Sequence, residues 1–325
     1  MRAKREAPML WVAVLLAWAL ATAPHSLAAQ RMDASPRTPA ARSASTPKPS
    51  IKVSVNLVTV PFTVTNKKGR LLPDLTQDDF QVYEDGAIQK ITSFGRGSNL
   101  PLRIGVLIDT SNSIRMRLGF EKQAAIDFLD AIIRPAEDQA FVVGFDVEPE
   151  LLQDYTGDVD KLGTAIRSLQ AGGGTGLFDA VYYACKQKML NFPPNPPYLR
   201  RVLIIDSDGL DNESQHSLDE ALSMAQHAEA IIFCISTNRS GIETRGDRVL
   251  KEFASQTGGA AFFPFEASDL AKAFNRIAVQ LRSQYTLAYY STNTVHNGAF
   301  RRIRIKPLEK GLRIHAKAGY FAPSA

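Results

Sequence analysis

The stretch "IGVLIDTSNS", Ile104 to Ser113, ends a strand-forming run in a carboxylate and follows it, at every second position, with two hydroxyls. Two other stretches carry compatible chemistry. One is the glycine-rich "GGGTG" around Thr175, just ahead of a helical pattern; the other is "RVLIIDSDGLDN", in which Asp208 follows an equally apolar run. Asp109, Ser111, Ser113, Thr175 and Asp208 together offer two carboxylates and three hydroxyls, with no nitrogen or sulfur among them. Hard divalent cations such as Mg²⁺ or Mn²⁺ take such an oxygen-only set. Two carboxylates neutralise a dication formally and leave a coordination position for water or an incoming acidic ligand. The competing readings are local. Asp109 and the serines can cap a helix beginning near Arg115, the glycines can form an ordinary turn, and Asp208-Gly209 can be a plain strand exit.

What gathers these residues is the order of the elements. "RIGVLID", "AFVVGF", "RVLIIDSD", "AIIFCIST" and "AAFFPF" are short, nearly uniform apolar runs, as expected of strands buried on both faces of a mostly parallel sheet. Helical patterns such as "GFEKQAAIDFLDAII" and "SLDEALSMAQHAEA" alternate with them, which predicts a doubly wound, Rossmann-like α/β domain over residues 99–283. Ligands of such folds collect outside the carboxyl ends of the strands. All three candidate loops lie there.

The flanks read differently. Residues 51–98 alternate apolar and polar, with a phase change between Leu57 and Val58 that suggests a bulge and an Asp85-Gly86 hairpin turn. Residues 284–323 are again strand-like and too short for a core of their own. Pairing of the two would make the α/β domain an insertion in one small, sandwich-like all-β domain. Arg302, Arg304, Lys306, Arg313 and Lys317 alternate with apolar residues there, as on the solvated face of an edge strand.

Residues 1–29 combine a basic start, an apolar run of about 15 residues and a small-residue stretch, the pattern of a cleaved signal peptide. That run is short of the roughly 20 residues that span a bilayer, so an uncleaved signal anchor is the one membrane contact in view. Residues 30–50, rich in Pro, Ser, Ala and Arg, predict a disordered linker. The expected location is the periplasm, the cell envelope or the medium. The formal charge of +5 resides in residues 1–50, and residues 99–283 are net acidic, which excludes a nucleic-acid surface on the α/β domain. Cys185 and Cys234 both sit in apolar patterns and read as buried unpaired thiols, although spacing alone leaves a disulfide open.

Enzyme motifs are scarce. "GGGTG" lacks the Lys-Ser/Thr ending of a nucleotide-binding loop, and neither G-x-S-x-G nor H-E-x-x-H occurs. The alternative to a binding module is a Mg²⁺-dependent phosphoaspartyl hydrolase with Asp109 as nucleophile, but such enzymes expect a second Asp where this chain has Ser111.

D-x-S-x-S, a distant Thr in a glycine-rich turn and a strand-end S-D-G resemble the metal-ion-dependent adhesion site (MIDAS) of von Willebrand factor type A domains. The resemblance implies that Asp109, Ser111, Ser113, Thr175 and Asp208 hold the metal, that no catalytic residue is present, and that a protein partner supplies an Asp or Glu carboxylate. Asp206, two residues before Asp208, is expected on the opposite side of the strand, and Asp211, Asn212 and Glu213 on the rim. The flanks, "VNLVTVPFTVTNKKGR" through "YEDGAIQKI" and "YTLAYYSTN" through "AGYFAP", resemble a family of exported bacterial von Willebrand type A proteins abundant in Acidobacteria.

Overall fold

The structure, a computed structural model, describes residues 56–96, 100–191 and 199–324. The expected signal peptide and linker lie outside the described residues.

Five strands run parallel in one six-stranded sheet: β5 (Leu102–Asp109), β6 (Gln139–Phe145), β8 (Arg200–Ser207), β9 (Ala230–Ser236) and the short β10 (Ala261–Phe262), while the sixth, β7 (Pro149–Thr156), is antiparallel. The order is β10-β9-β8-β5-β6-β7. All eight residues of β5 are buried, because helices cover both faces. Ile104, Val106 and Ile108 of β5 face a core shared with α1 (Leu118–Ile132), α2 (Val159–Ser168) and α6 (Ala267–Arg282). Leu107 faces the other core, with α3 (Leu177–Tyr183), α4 (Leu218–His227) and α5 (Arg245–Thr257). Both cysteines are free and fully buried in that second core. The chain passes from β5 to β6 on one side and later places β8 on the other, so the switch in strand order falls between β5 and β8. Crevices open at such points, and Asp109 and Asp208 stand at its two lips.

β7 is not among the strands expected from sequence. None of its residues is fully buried, and the adjacent Leu151 and Leu152 break the alternation that would announce it. Beyond α3 the helix widens into a π-helical segment, Ala184–Leu190, equally unannounced.

The flanking strands form two antiparallel four-stranded sheets. One has the order β13 (Arg313–Ala316), β1 (Leu57–Thr65), β11 (Tyr285–Tyr290), β4 (Ile91–Arg96); the other runs β14 (Gly319–Phe321), β12 (Phe300–Pro307), β2 (Phe80–Glu84), β3 (Ala87–Gln89). Phe62, Phe80, Phe94 and Tyr285 pack between them, with ring centroids 5.2–6.3 Å apart. The Asp85-Gly86 turn joins β2 to β3 with both residues at positive φ, 47° and 86°. Two local expectations are corrected. β1 pairs with β11 in unbroken register from Leu57 to Phe62, and the irregularity lies instead between β11 and β4, at Ala288 and Tyr289. β12 is not an edge strand, since β14 and β2 flank it; Arg302, Arg304 and Lys306 are exposed because they occupy its outer face. Arg301, just before them, is buried and lies 3.6 Å from the equally buried Glu84. Among the described residues no helix is long and apolar enough to cross a membrane.

The entry and exit of the α/β unit are clamped by one side chain. Asp138 accepts hydrogen bonds from the backbone N–H of Leu102 at the start of β5, from the Arg134 side chain and from Arg282 at the end of α6. Burial alone would raise its pKa, but the Arg134 and Leu102 bonds lead a set that brings the carboxyl down to about 2.

Candidate functional site

Asp109 closes β5 and is fully buried. One carboxylate oxygen accepts from the Ser111 N–H at 2.8 Å and the other from the Ser207 hydroxyl at 2.6 Å. Burial raises its pKa against these hydrogen bonds, with the neighbouring Asp208 adding to the rise. Ser111 precedes a single 3₁₀ turn, Asn112–Ile114, and its hydroxyl faces that of Ser113 at 2.9 Å. The helix-cap reading fails here. α1 starts only at Leu118 with Arg117 at its N-cap, and neither that helix nor the 3₁₀ turn has a side-chain cap. The hydroxyls therefore remain available for another task.

The glycine-rich loop is tied to this one by its backbone: Gly172 N–H donates to the Thr110 carbonyl, and the Asn112 side chain donates to the Gly173 carbonyl. Thr175, 6% exposed, has its N–H bound by Asn212 Oδ1 at 2.8 Å, and its carbonyl accepts from the N–H groups of Asn212 and Glu213. Its hydroxyl makes no hydrogen bond among the described residues. Asp211 accepts from the Phe178 N–H and the Ser214 hydroxyl. The 211–213 segment, expected on the rim, thus buttresses the Thr175 loop.

Asp208 follows β8 immediately and is partly buried; its Oδ1 accepts from the Leu210 N–H. Gly209, at φ 78°, turns the chain so closely against α5 that a Cβ on Gly246 would stand 2.2 Å from the Asp208 carbonyl oxygen. Asp208 and Ser113 line one cavity of about 140 Å³, together with Arg117, Leu210, Thr237 and Thr244. Asp109, Ser111, Ser113 and Asp208 are thus linked by hydrogen bonds or a shared cavity wall, whereas Thr175 is tied to them only through its loop's bonds to Thr110 and Asn112. Among the described residues no group of three His, Cys, Asp or Glu side chains is placed to hold a metal. A cation here depends on hydroxyls as much as on carboxylates. The oxygen-only donors, the facing serine hydroxyls and the free Thr175 hydroxyl fit a hard divalent ion.

The expectation for Asp206 is overturned. Residues two apart on a strand share a face, and both carboxylates lie on the α1 side: Asp208 at the cavity, Asp206 below it in the core. Asp206 neighbours Arg117 and Asp109 electrostatically, and Glu121 of α1 neighbours all three. Burial raises the pKa of both Asp206 and Glu121, and Asp206 raises that of Glu121 further. Ser207 and Glu121 escaped the sequence reading. Glu121 leaves a signal, since it falls between Leu118 and Ala125 on the apolar stripe of α1.

Several solved structures are similar to this chain. An aerotolerance-related membrane protein from Bacteroides fragilis is 15% identical over 55% of this chain and 99% of its own, with a TM-score of 0.45. The von Willebrand factor domain of the type V pili tip protein Mfa5 from Porphyromonas gingivalis is 17% identical over 56% and 95%, at 0.47. Proximal thread matrix protein 1 from the mussel byssus, solved with a zinc-occupied MIDAS motif, is 19% identical over 61% of this chain at 0.48. The chain spans about half, 49%, of that mussel protein. No curated protein matches the sequence. Residues 104–237, from the third residue of β5 to just past the end of β9, match the family model of the von Willebrand factor type A domain.

Proposed function

We propose that the chain is an exported, non-enzymatic binding module. In this reading Asp109, Ser111, Ser113, Thr175 and Asp208 hold Mg²⁺ or Mn²⁺, and the ion takes up an Asp or Glu carboxylate of a protein partner. The observation that carries the reading is the meeting of a fully buried strand-end carboxylate, two facing serine hydroxyls and a second carboxylate at the strand-order switch of a von Willebrand type A domain. The bound ion supplies a Lewis-acidic position for an external oxygen ligand. The protein's own part is to fix the loops: Ser207 orients Asp109, Asn212 orients Thr175, and Gly209 with Gly246 seats Asp208. The resemblance of both flanks to exported bacterial proteins supports a location outside the cytoplasm.

Asp109 is poorly disposed as a phosphoryl acceptor. It is fully buried and both its oxygens already accept hydrogen bonds, whereas a nucleophile needs an open line of approach. Titration calorimetry of the full chain with Mn²⁺ tests the reading: wild type binds, and Asp109→Ala loses at least about tenfold in affinity. Equal affinity in the two proteins refutes it, and phosphatase activity that vanishes in Asp109→Asn would favour the hydrolase.

A further inference from the structure

Below the candidate site, on the α1 face of the sheet, three buried side chains are short of partners. Asp206 is 2% exposed and Glu121 1%, and none of their four carboxylate oxygens accepts a hydrogen bond. Thr237, 7% exposed, has an unpartnered hydroxyl as well. Alternation along the strands and spacing along α1 place all three on the α1 face of the sheet. Val202 and Ile204 of β8 contact the α1 core, which puts Asp206 on that face; Ile231, Phe233 and Ile235 of β9 do the same, and Thr237 continues their series. Glu121 lies one turn from both Leu118 and Ala125, which contact the same core. Arg117 bridges the group, donating to the Thr237 carbonyl and placing its Nε 3.5 Å from Glu121 Oε1.

Arg117 supplies one positive charge against two carboxylates and satisfies none of their oxygens within hydrogen-bond geometry. A buried carboxylate without donors is among the costliest groups a core can hold. Two of them, joined by an unpartnered hydroxyl of different chemistry, form a set of five oxygens with nothing to bind. We infer that Glu121, Asp206 and Thr237 form a second cation site, internal to the domain and separate from the five loop residues, which takes a hard divalent ion. Two carboxylates able to bind through both oxygens suit Ca²⁺ or Mn²⁺ better than Mg²⁺, which gives up its water reluctantly. Such an ion would cancel the charge stacked beneath Asp109 and Asp208 and lock the first turn of α1 to the ends of β8 and β9. Thr237 also borders the rim cavity, but none of the three is among the five rim residues, so counting ions in variants of each set tells the two ideas apart.

The test counts Mn²⁺ bound per chain at equilibrium dialysis, using the full-length protein. Wild type is expected to hold two ions, Glu121→Gln/Asp206→Asn one, and Asp109→Ala one. The double variant removes charge from a crowded core without changing side-chain shape, so it keeps the wild-type fold; Thr237→Val, which deletes only the hydroxyl, should weaken one of the two ions at least about tenfold. A single ion in wild type that survives in the double variant overturns the second site and leaves the rim site standing. A single ion lost in the double variant but retained in Asp109→Ala does the reverse. No bound ion at all refutes both, and two ions in the double variant refute the internal site.

Discussion

Asp138→Asn is the sharpest test of how the α/β unit is fastened into the β region. The fully buried carboxylate takes hydrogen bonds of 2.7 Å from Leu102 N–H, 3.0 Å from Arg134 N–H, 2.8 and 2.9 Å from the Arg134 side chain and 2.9 Å from Arg282. Those bonds hold it at about 2, against an ordinary 3.8, which corresponds to roughly 2.4 kcal/mol of folding stability at neutral pH. The sign follows from the direction. The folded-state value is the lower one, so the stabilisation is complete above the ordinary carboxylate range and fades as pH falls toward 2. By pH 3 about 1.3 kcal/mol is left on the same arithmetic. Urea unfolding of wild type and Asp138→Asn should therefore show a gap of about 2 kcal/mol or more at pH 7, narrowing by about 1 kcal/mol at pH 3. A gap that is the same at both pH values, or absent at pH 7, would refute the clamp. Mn²⁺ affinity should not change, because β5 is also held in register by β6 and β8 along its length up to Asp109.

Two further variants probe the β region and the loops. Arg301→Met strands Glu84, 2% exposed, whose carboxylate is bound by the hydroxyls of Tyr289, Ser291 and Tyr320; a loss of about 3–5 kcal/mol in urea unfolding is expected, with partial recovery when Glu84→Gln is added, and a loss below about 1 kcal/mol would show that the hydroxyls alone satisfy the charge. Gly246→Ala drives a methyl group to within 2.2 Å of the Asp208 carbonyl oxygen, so Mn²⁺ binding calorimetry should show affinity lowered at least about tenfold while Asp109 keeps its bonds to Ser111 and Ser207. Unchanged affinity would mean that the position of Asp208 does not matter to the ion.

The central strands were legible in the sequence because burial on both faces leaves a mark that survives without context: beyond Arg103, Gln139, Arg200 and Arg201 at their starts, β5, β6, β8 and β9 have no charged or amide side chain until the chain reaches the site edge. The same property made two of the candidate loops legible, since the ends of β5 and β8 place the next polar residues at the carboxyl edge, whereas the glycine-rich loop follows α2 and is marked by its composition. β7 was hidden because an antiparallel edge strand with one covered face is written half in polar residues. The position of β12 was misread because basic alternation is produced equally by an edge strand and by the outer face of an interior one; neighbours, not the strand itself, decide between them. Arg301, the basic residue that breaks the outward phase, carried the better information.

The floor of the site was missed for a related reason. Setting Asp206 opposite Asp208 misplaces it; the informative comparison is with Val202 and Ile204, whose core-facing phase it shares. Glu121 likewise stands in phase with Leu118 and Ala125. An acidic residue that keeps the phase of a buried stripe has no water to stabilise its charge, so the fold must bring it a donor, a proton or a cation. Two such residues, from an early helix and a later strand, meet beneath Asp109, and Arg117 alone does not satisfy them. Periodicity therefore identifies these acids before any contact is known, provided that the residues which violate composition are sorted by the face they occupy rather than by the loop they adjoin.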